Sequence, residues 1–129
     1  LMMRLESDLA ETMLACANGT LAALPEPQFS EDTALTVVMA ANGYPDTPEK
    51  GGAIVLGMAE SEGAKVFHAG TALVDGELVA SGGRVLNVTA TGENTRAAQQ
   101  AAYRAVSAID FATGFCRKDI GWREVAREG

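Results

Sequence analysis

The segment Thr33–Ala41, TALTVVMAA, constrains the fold more than any other part of the chain. It is short, apolar and rich in β-branched residues, which favours a strand over a helix. An edge strand with one face in water would alternate apolar and polar residues, and this run is too continuous for that pattern. We therefore predict a strand in the middle of a sheet.

Three more strands are predicted further along the chain, over residues 65–71, 77–81 and 84–91. Asp75-Gly76 separates the first two and is a strong hairpin signal, because both residues tolerate a positive φ. Gly82-Gly83 makes a second tight break, so we expect the three strands to form an antiparallel meander. Strand alternation then places four residues on one face of the last strand: Arg84, Leu86, Val88 and Ala90.

Helices are predicted on either side of these strands. Apolar residues at steps of three and four indicate a helix over 4–17, which Asn18-Gly19 would end. A second helix would begin at Asn94 or Thr95 and run to about Ile109, with small residues packed on the sheet. The prediction is an α+β fold: a largely antiparallel sheet, the meander, flanked by an N-terminal and a C-terminal helix.

Charge and cysteine content exclude several classes of protein. The chain of 129 residues has 10 Lys and Arg against 17 Asp and Glu, a net charge of −7. This balance argues against nucleic acid and against an anionic membrane surface as partners. No apolar run approaches the roughly 20 residues that cross a bilayer. Two cysteines, Cys16 and Cys116, stand far apart and outside any metal-ligand spacing, which is typical of a reduced cytoplasmic protein.

Gly82-Gly83 before Arg84 is the best candidate for a binding site. Glycines let the backbone approach a ligand closely, and the arginine guanidinium suits phosphate or carboxylate. The structural alternative is a tight hairpin with a surface arginine. Lys50, in the long loop 42–52, is a second candidate cation, and it can equally be an ordinary solvated lysine.

His68 is the only histidine, and we place it with Val66 on the inward face of its strand. A lone strand histidine is more often structural than catalytic. The sequence contains no GxxxxGK[ST] or GxGxxG motif and no recognisable nucleophile or carboxylate pair. We assign no catalytic, cofactor-binding or metal-ligating residue in this chain.

Six blocks of residues along the chain form a recognisable series. They are RLESDL at 4–9, AANGYP at 40–45 with EKG at 49–51, VFHAGT at 66–71, GGRVLNVTA at 82–90, AAY at 101–103 and RKDIGW at 117–122. In order and spacing these blocks resemble the C-terminal domain of the phosphoribosylamine–glycine ligases, a family of ATP-grasp enzymes. The resemblance covers nearly the whole chain, and six blocks in the same order are far more specific than one motif.

The resemblance implies a ligase of de novo purine synthesis that uses ATP with Mg²⁺ or Mn²⁺. Its substrates would be glycine and 5-phosphoribosylamine, and its products glycinamide ribonucleotide, ADP and phosphate. Residues 1–30 would be a helix and linker from the end of the ATP-grasp core, and 31–129 a β-rich C-terminal domain that packs on that core.

The family's ATP and metal sites lie upstream of the segment that matches Leu1. We therefore expect no cofactor bound to this chain and no activity from it alone. Leu1 is not an initiator Met, which also suggests a piece of something larger.

The resemblance also implies that the domain contributes to the pocket of the phosphorylated substrate. Arg84 is then the first candidate for a phosphate contact, followed by Lys50 and His68. Asp46-Thr47-Pro48 departs from the small residues expected in that loop, which leaves the position of Lys50 open. Two alternatives stay open as well: a non-enzymatic interaction module, whose docking face would be Leu5, Leu9 and Met13, and the C-terminal domain of another ATP-grasp ligase.

Overall fold

The computed structural model describes all residues, 1–129. The helices are α1 (Leu9–Asn18), α2 (Thr95–Ser107) and α3 (Trp122–Glu128), with short 3₁₀ turns at Met2–Arg4 and Leu21–Ala23. The strands are β1 (Thr33–Ala41), β2 (Lys65–His68), β3 (Thr71–Val74), β4 (Glu77–Ala80), β5 (Arg84–Gly92) and β6 (Gly114–Cys116). No helix combines the length and the apolar character that a bilayer-spanning segment needs.

The main sheet has four antiparallel strands in the order β2-β5-β1-β6, so β1 is central, as its composition predicted. Helix α2 covers one face of this sheet, which we call the inner face. Leu86 and Val88 on β5 and Ala98 and Ala102 on α2 are all fully buried there. Small side chains on the helix let its backbone approach the sheet closely, which explains the alanine-rich sequence of α2.

The predicted α+β class, the antiparallel sheet and the flanking helices are confirmed, but the strands do not pair as a meander. β2 pairs directly with β5, and β3 and β4 form a separate two-stranded hairpin. The amides of Ser81 and Gly82 both donate to the carbonyl oxygen of Gly70, which closes the base of the hairpin. A Cβ on Gly70 would approach the Arg84 carbonyl oxygen to 2.7 Å, so this crossing depends on glycine.

Helix α1 begins five residues later than predicted. The Asp8 carboxylate accepts a hydrogen bond from the Glu11 amide at 3.0 Å and caps the helix at that point. Upstream of the cap, Leu5 forms an isolated antiparallel bridge with Phe29. The chain before Asp8 therefore pairs with the end of the linker instead of extending the helix.

The second predicted helix is confirmed, with Asn94 as the N-cap of α2. The tail beyond it, for which no element was predicted, adds β6 to the edge of the sheet and ends in α3. Tyr103 of α2 holds the connection: its hydroxyl donates to the Arg117 carbonyl oxygen at 2.7 Å and accepts from the Ile120 amide at 3.1 Å. These contacts are distant in sequence, and β6 has only three residues, so no local pattern indicates them.

Candidate functional site

A β-bulge at the start of β5 determines where the Arg84 side chain lies. Met39 of β1 pairs with Leu86, but the next residue, Ala40, pairs with Arg84, so Val85 is an extra residue in β5. Since Ala40 follows Met39 by one position, Ala40 and Arg84 lie on the face opposite to Met39 and Leu86. The prediction that Arg84 shares a face with Leu86 is therefore wrong. The bulge moves Arg84 to the outer face, away from α2.

Arg84 lines a cleft of about 610 Å³ at this end of the outer face. The loop after β1 forms one wall, and the ends of β2 and β5 form the other. Arg84 is the only charged residue in the lining and makes no ion pair within the chain. The lining residues are Tyr44, Pro45, Pro48, Ala69, Gly83, Arg84 and Asn87.

Close packing holds the wall of this cleft against β5. The Ala41 amide donates to the Gly83 carbonyl oxygen at 2.8 Å, and the Glu49 amide donates to the Asn42 carbonyl oxygen at 2.8 Å, which closes the loop on itself. A Cβ on Gly83 would overlap the Tyr44 ring and approach Cγ of Pro48 to 3.2 Å. Glycine at 83 is therefore required by this contact, in addition to any approach of a ligand.

The other two candidate residues, Lys50 and His68, do not line the cleft. Lys50 is exposed, two residues beyond Pro48, and the amide of the following Gly51 donates to the Ala80 carbonyl oxygen. His68 lies opposite Leu86, in agreement with the predicted alternation, but it is exposed at the end of β2. Its Nδ1 is 3.1 Å from the Thr71 hydroxyl oxygen. The structure thus brings Arg84 to the cleft, leaves Lys50 outside the lining, and places the His68 side chain on the inner face, opposite to the cleft.

Asn87 lines the cleft and was not among the residues predicted from the sequence. It lines the first cleft and also a second one of about 300 Å³, which continues along the outer face towards Leu1, Met2 and Met3. The signal that could have found it is a carboxamide within the otherwise apolar run Val85 to Val88. Its position beside Arg84 was not predictable, because it depends on the bulge.

The cleft lining contains groups that can bind a ligand, and it contains no Ser, Thr, Cys, His, Asp, Glu or Lys side chain. An unpaired guanidinium and a carboxamide can hold an anionic oxygen-rich ligand through charge-assisted hydrogen bonds. Cys116 lies outside the lining, on β6, and burial raises the pKa of its thiol, which disfavours the reactive thiolate. No group of three or more His, Cys, Asp or Glu side chains is placed to hold a metal ion.

Fold and site together define a class: an α+β domain with a helix on one face of its sheet and a cleft with a single cation on the other. Residues 34–123 match the family described as "Phosphoribosylglycinamide synthetase, C domain". The chain belongs to this family, and the resemblance found in the sequence is confirmed.

Proteins named phosphoribosylamine–glycine ligase are similar to nearly the whole chain. Those of Mesorhizobium japonicum and Agrobacterium fabrum are 54% and 53% identical, over 99% of this chain and 30% of their own length. The chloroplastic ligase of Arabidopsis thaliana is 50% identical over 99% of this chain and 25% of its length. This chain therefore spans less than a third of these relatives.

A solved structure shares the fold. The crystal structure of the phosphoribosylamine–glycine ligase of Thermotoga maritima superposes with a TM-score of 0.68 at 36% sequence identity. The match covers 87% of this chain and 28% of that protein. The α+β arrangement described above is thus also present within that ligase.

Proposed function

We propose that this chain is the C-terminal domain of an ATP-dependent ligase that joins glycine to 5-phosphoribosylamine. The products would be glycinamide ribonucleotide, ADP and phosphate, in de novo purine synthesis. The proposal is supported by the family to which the chain belongs and by the names of relatives that are at least 50% identical over 99% of it. A reducing compartment, the cytoplasm, suits two free cysteines.

Within this ligase, we assign binding of the phosphorylated substrate to the Arg84 cleft. The observation that carries the assignment is an arginine without an ion pair, turned by a bulge into a cleft that holds no other charge. Its guanidinium would hold the phosphate of 5-phosphoribosylamine and so fix the position of the amine. Lys50, two residues beyond Pro48, would make a weaker contribution, and His68, on the inner face, would make none within this cleft.

ATP and its metal would be held by the remainder of the ligase. Mg²⁺ or Mn²⁺, when bound there, offsets the negative charge of the phosphoryl group that activates glycine. The acidic residues of this chain form no cluster that fits either ion. We accordingly expect the isolated 129-residue chain to form no glycinamide ribonucleotide, and ATP-dependent ligation by it would contradict this division of roles.

Residues 1–30 would form the junction with the ATP-grasp core, and residues 31–129 the domain proper. This segment has many exposed apolar side chains, and such a concentration is typical of a surface that another domain covers. The exposed members are Leu1, Met2, Leu9, Met13, Leu14, Leu21 and Phe29.

The test is the substitution Arg84→Ala in the complete ligase polypeptide that carries this domain. We expect kcat/KM for 5-phosphoribosylamine to fall by an amount equivalent to about 2–4 kcal/mol, since a desolvated charge pair is lost. KM for ATP and glycine should not change. Arg104→Ala is the matched control, because Arg104 is an exposed arginine of α2 that pairs with Glu62 and does not line the cleft. An unchanged kcat/KM in Arg84→Ala would refute the assignment.

A further inference from the structure

Asn87 is a polar side chain in the middle of the outer face, beside Arg84, that lacks both a hydrogen-bond partner and an assigned role. Its carboxamide has two N–H donors and an acceptor oxygen, and none of them bonds to the protein. The strand neighbours directly opposite are Val38 on β1 and Phe67 on β2, both apolar and more than one-third exposed. Nothing within the domain explains a carboxamide at this position.

The nearby hydroxyl groups are already satisfied. Thr36 and Thr89 lie on the same face, and their Oγ1 atoms are hydrogen-bonded to one another at 2.8 Å. Thr89 is also nearly buried, at 7% exposure. Asn87 is therefore the free hydrogen-bonding group in the middle of this surface, at the point where the two clefts meet.

The distance from Arg84 to Asn87 suits a ligand of a particular length. Because Val85 is the extra residue of the bulge, the backbone positions of Arg84 and Asn87 are one same-face step apart, about 6.6 Å along the strand. This step is comparable with the span between the phosphate and the first carbon of ribose 5-phosphate. A phosphate held by Arg84 would place its ribose over Asn87.

We propose that Asn87 recognises the sugar of the phosphoribosyl substrate, with its carboxamide hydrogen-bonded to ribose hydroxyl groups. A hydroxyl both donates and accepts, as a carboxamide does, so one side chain can satisfy two neighbouring hydroxyls. Phe67, which lines the second cleft, offers an apolar surface to the ring carbons. Arg84 then selects for phosphate and Asn87 for the sugar attached to it. This inference rests on the proposed function of the cleft.

The test compares two stable competitors of 5-phosphoribosylamine in the complete ligase: ribose 5-phosphate, and methyl phosphate, which has no sugar. In Asn87→Ala we expect inhibition by ribose 5-phosphate to weaken about tenfold, and KM for 5-phosphoribosylamine to rise by a similar factor. Inhibition by methyl phosphate, and KM for ATP and glycine, should not change. In Arg84→Ala both inhibitors should weaken.

Val38→Ala is the matched control, because Val38 lies directly opposite Asn87 and lines neither cleft. It should leave both inhibition constants unchanged, and thermal unfolding of each variant verifies that it is folded. Unchanged inhibition by ribose 5-phosphate in Asn87→Ala, with weaker inhibition in Arg84→Ala, would refute sugar recognition and leave the proposed function standing. Equal weakening of both inhibitors in Asn87→Ala would also refute it. No effect in either variant would refute both proposals.

Discussion

The two faces of the main sheet are made of alternate residues of the same strands and differ in how completely they are covered. On the inner face, Leu86 and Val88 are fully buried under α2. On the outer face, Val38 and Phe67 are 37% and 39% exposed. The inner face is therefore covered by residues of this chain, and part of the outer face is left exposed.

This difference separates the residues that stabilise the fold from those available for binding. On the inner face, buried apolar side chains of β1, β5 and α2 pack together in one core cluster. The outer face carries Arg84 and Asn87, whose polar groups have no partner in the domain. The bulge at Val85 brings the two polar residues to the same face, because it moves Arg84 from the face of Leu86 to the face of Asn87.

The largest expected difference between the faces is in stability. Leu86→Ala should lower the free energy of unfolding by about 2–5 kcal/mol, because it leaves a cavity under α2 that the sheet and helix cannot close. Val38→Ala, on the outer face one strand away, should cost less than about 1 kcal/mol, since its side chain is already partly in water. Urea unfolding of both variants measures this, and equal losses would show that the outer face is packed as tightly as the inner one.

The inner face could be predicted from the sequence because its signals are local. The continuous apolar run of β1 and the alanine spacing of α2 each identify an element by themselves. The hairpin turn at Asp75-Gly76, between β3 and β4, could be predicted because its signal is also local. The partner of β2 could not be predicted, because it depends on the contact of Gly70 with Gly82, twelve residues apart.

Much less of the outer face could be predicted. Gly82-Gly83-Arg84 was predicted as a candidate binding site, and of these residues Gly83 and Arg84 line the outer cleft. Strand alternation then gave the wrong face for Arg84, because it assumes a regular strand and nothing in the sequence marks the bulge. Asn87 was not predicted as a binding residue for a related reason. A polar residue in a strand indicates a binding site only when its neighbours on the same face are known.

A substitution at Gly83 tests whether the outer cleft depends on its wall. Gly83→Ala places a Cβ against the Tyr44 ring and Pro48, so the loop must shift away from β5. We expect a loss of about 1–3 kcal/mol of stability from this overpacking, together with weaker inhibition of the complete ligase by methyl phosphate. Ser81→Ala, two residues earlier and exposed, is the control. Full stability with unchanged inhibition would show that the Tyr44 loop does not shape the site.

The smallest expected effect tests whether helix α3, in the C-terminal tail, stabilises helix α2 on the inner face. Both carboxylate oxygens of Glu128, at the end of α3, lie 3.0 Å from the Thr95 amide at the start of α2. This hydrogen bond lowers the pKa of Glu128, so its contribution to stability is present at neutral pH and disappears as the pH falls below the ordinary glutamate range, about pH 4. Glu128→Gln should slightly lower the thermal midpoint at pH 7 and reduce its decline between about pH 5 and pH 3. Glu124→Gln is the control on the same helix, because Glu124 pairs with Arg127 in solvent. If Glu128→Gln and the unmodified chain lose stability in parallel over that range, the carboxylate of Glu128 does not stabilise the start of α2. Helix α3 would then add nothing to the packing of α2 on the inner face through this contact.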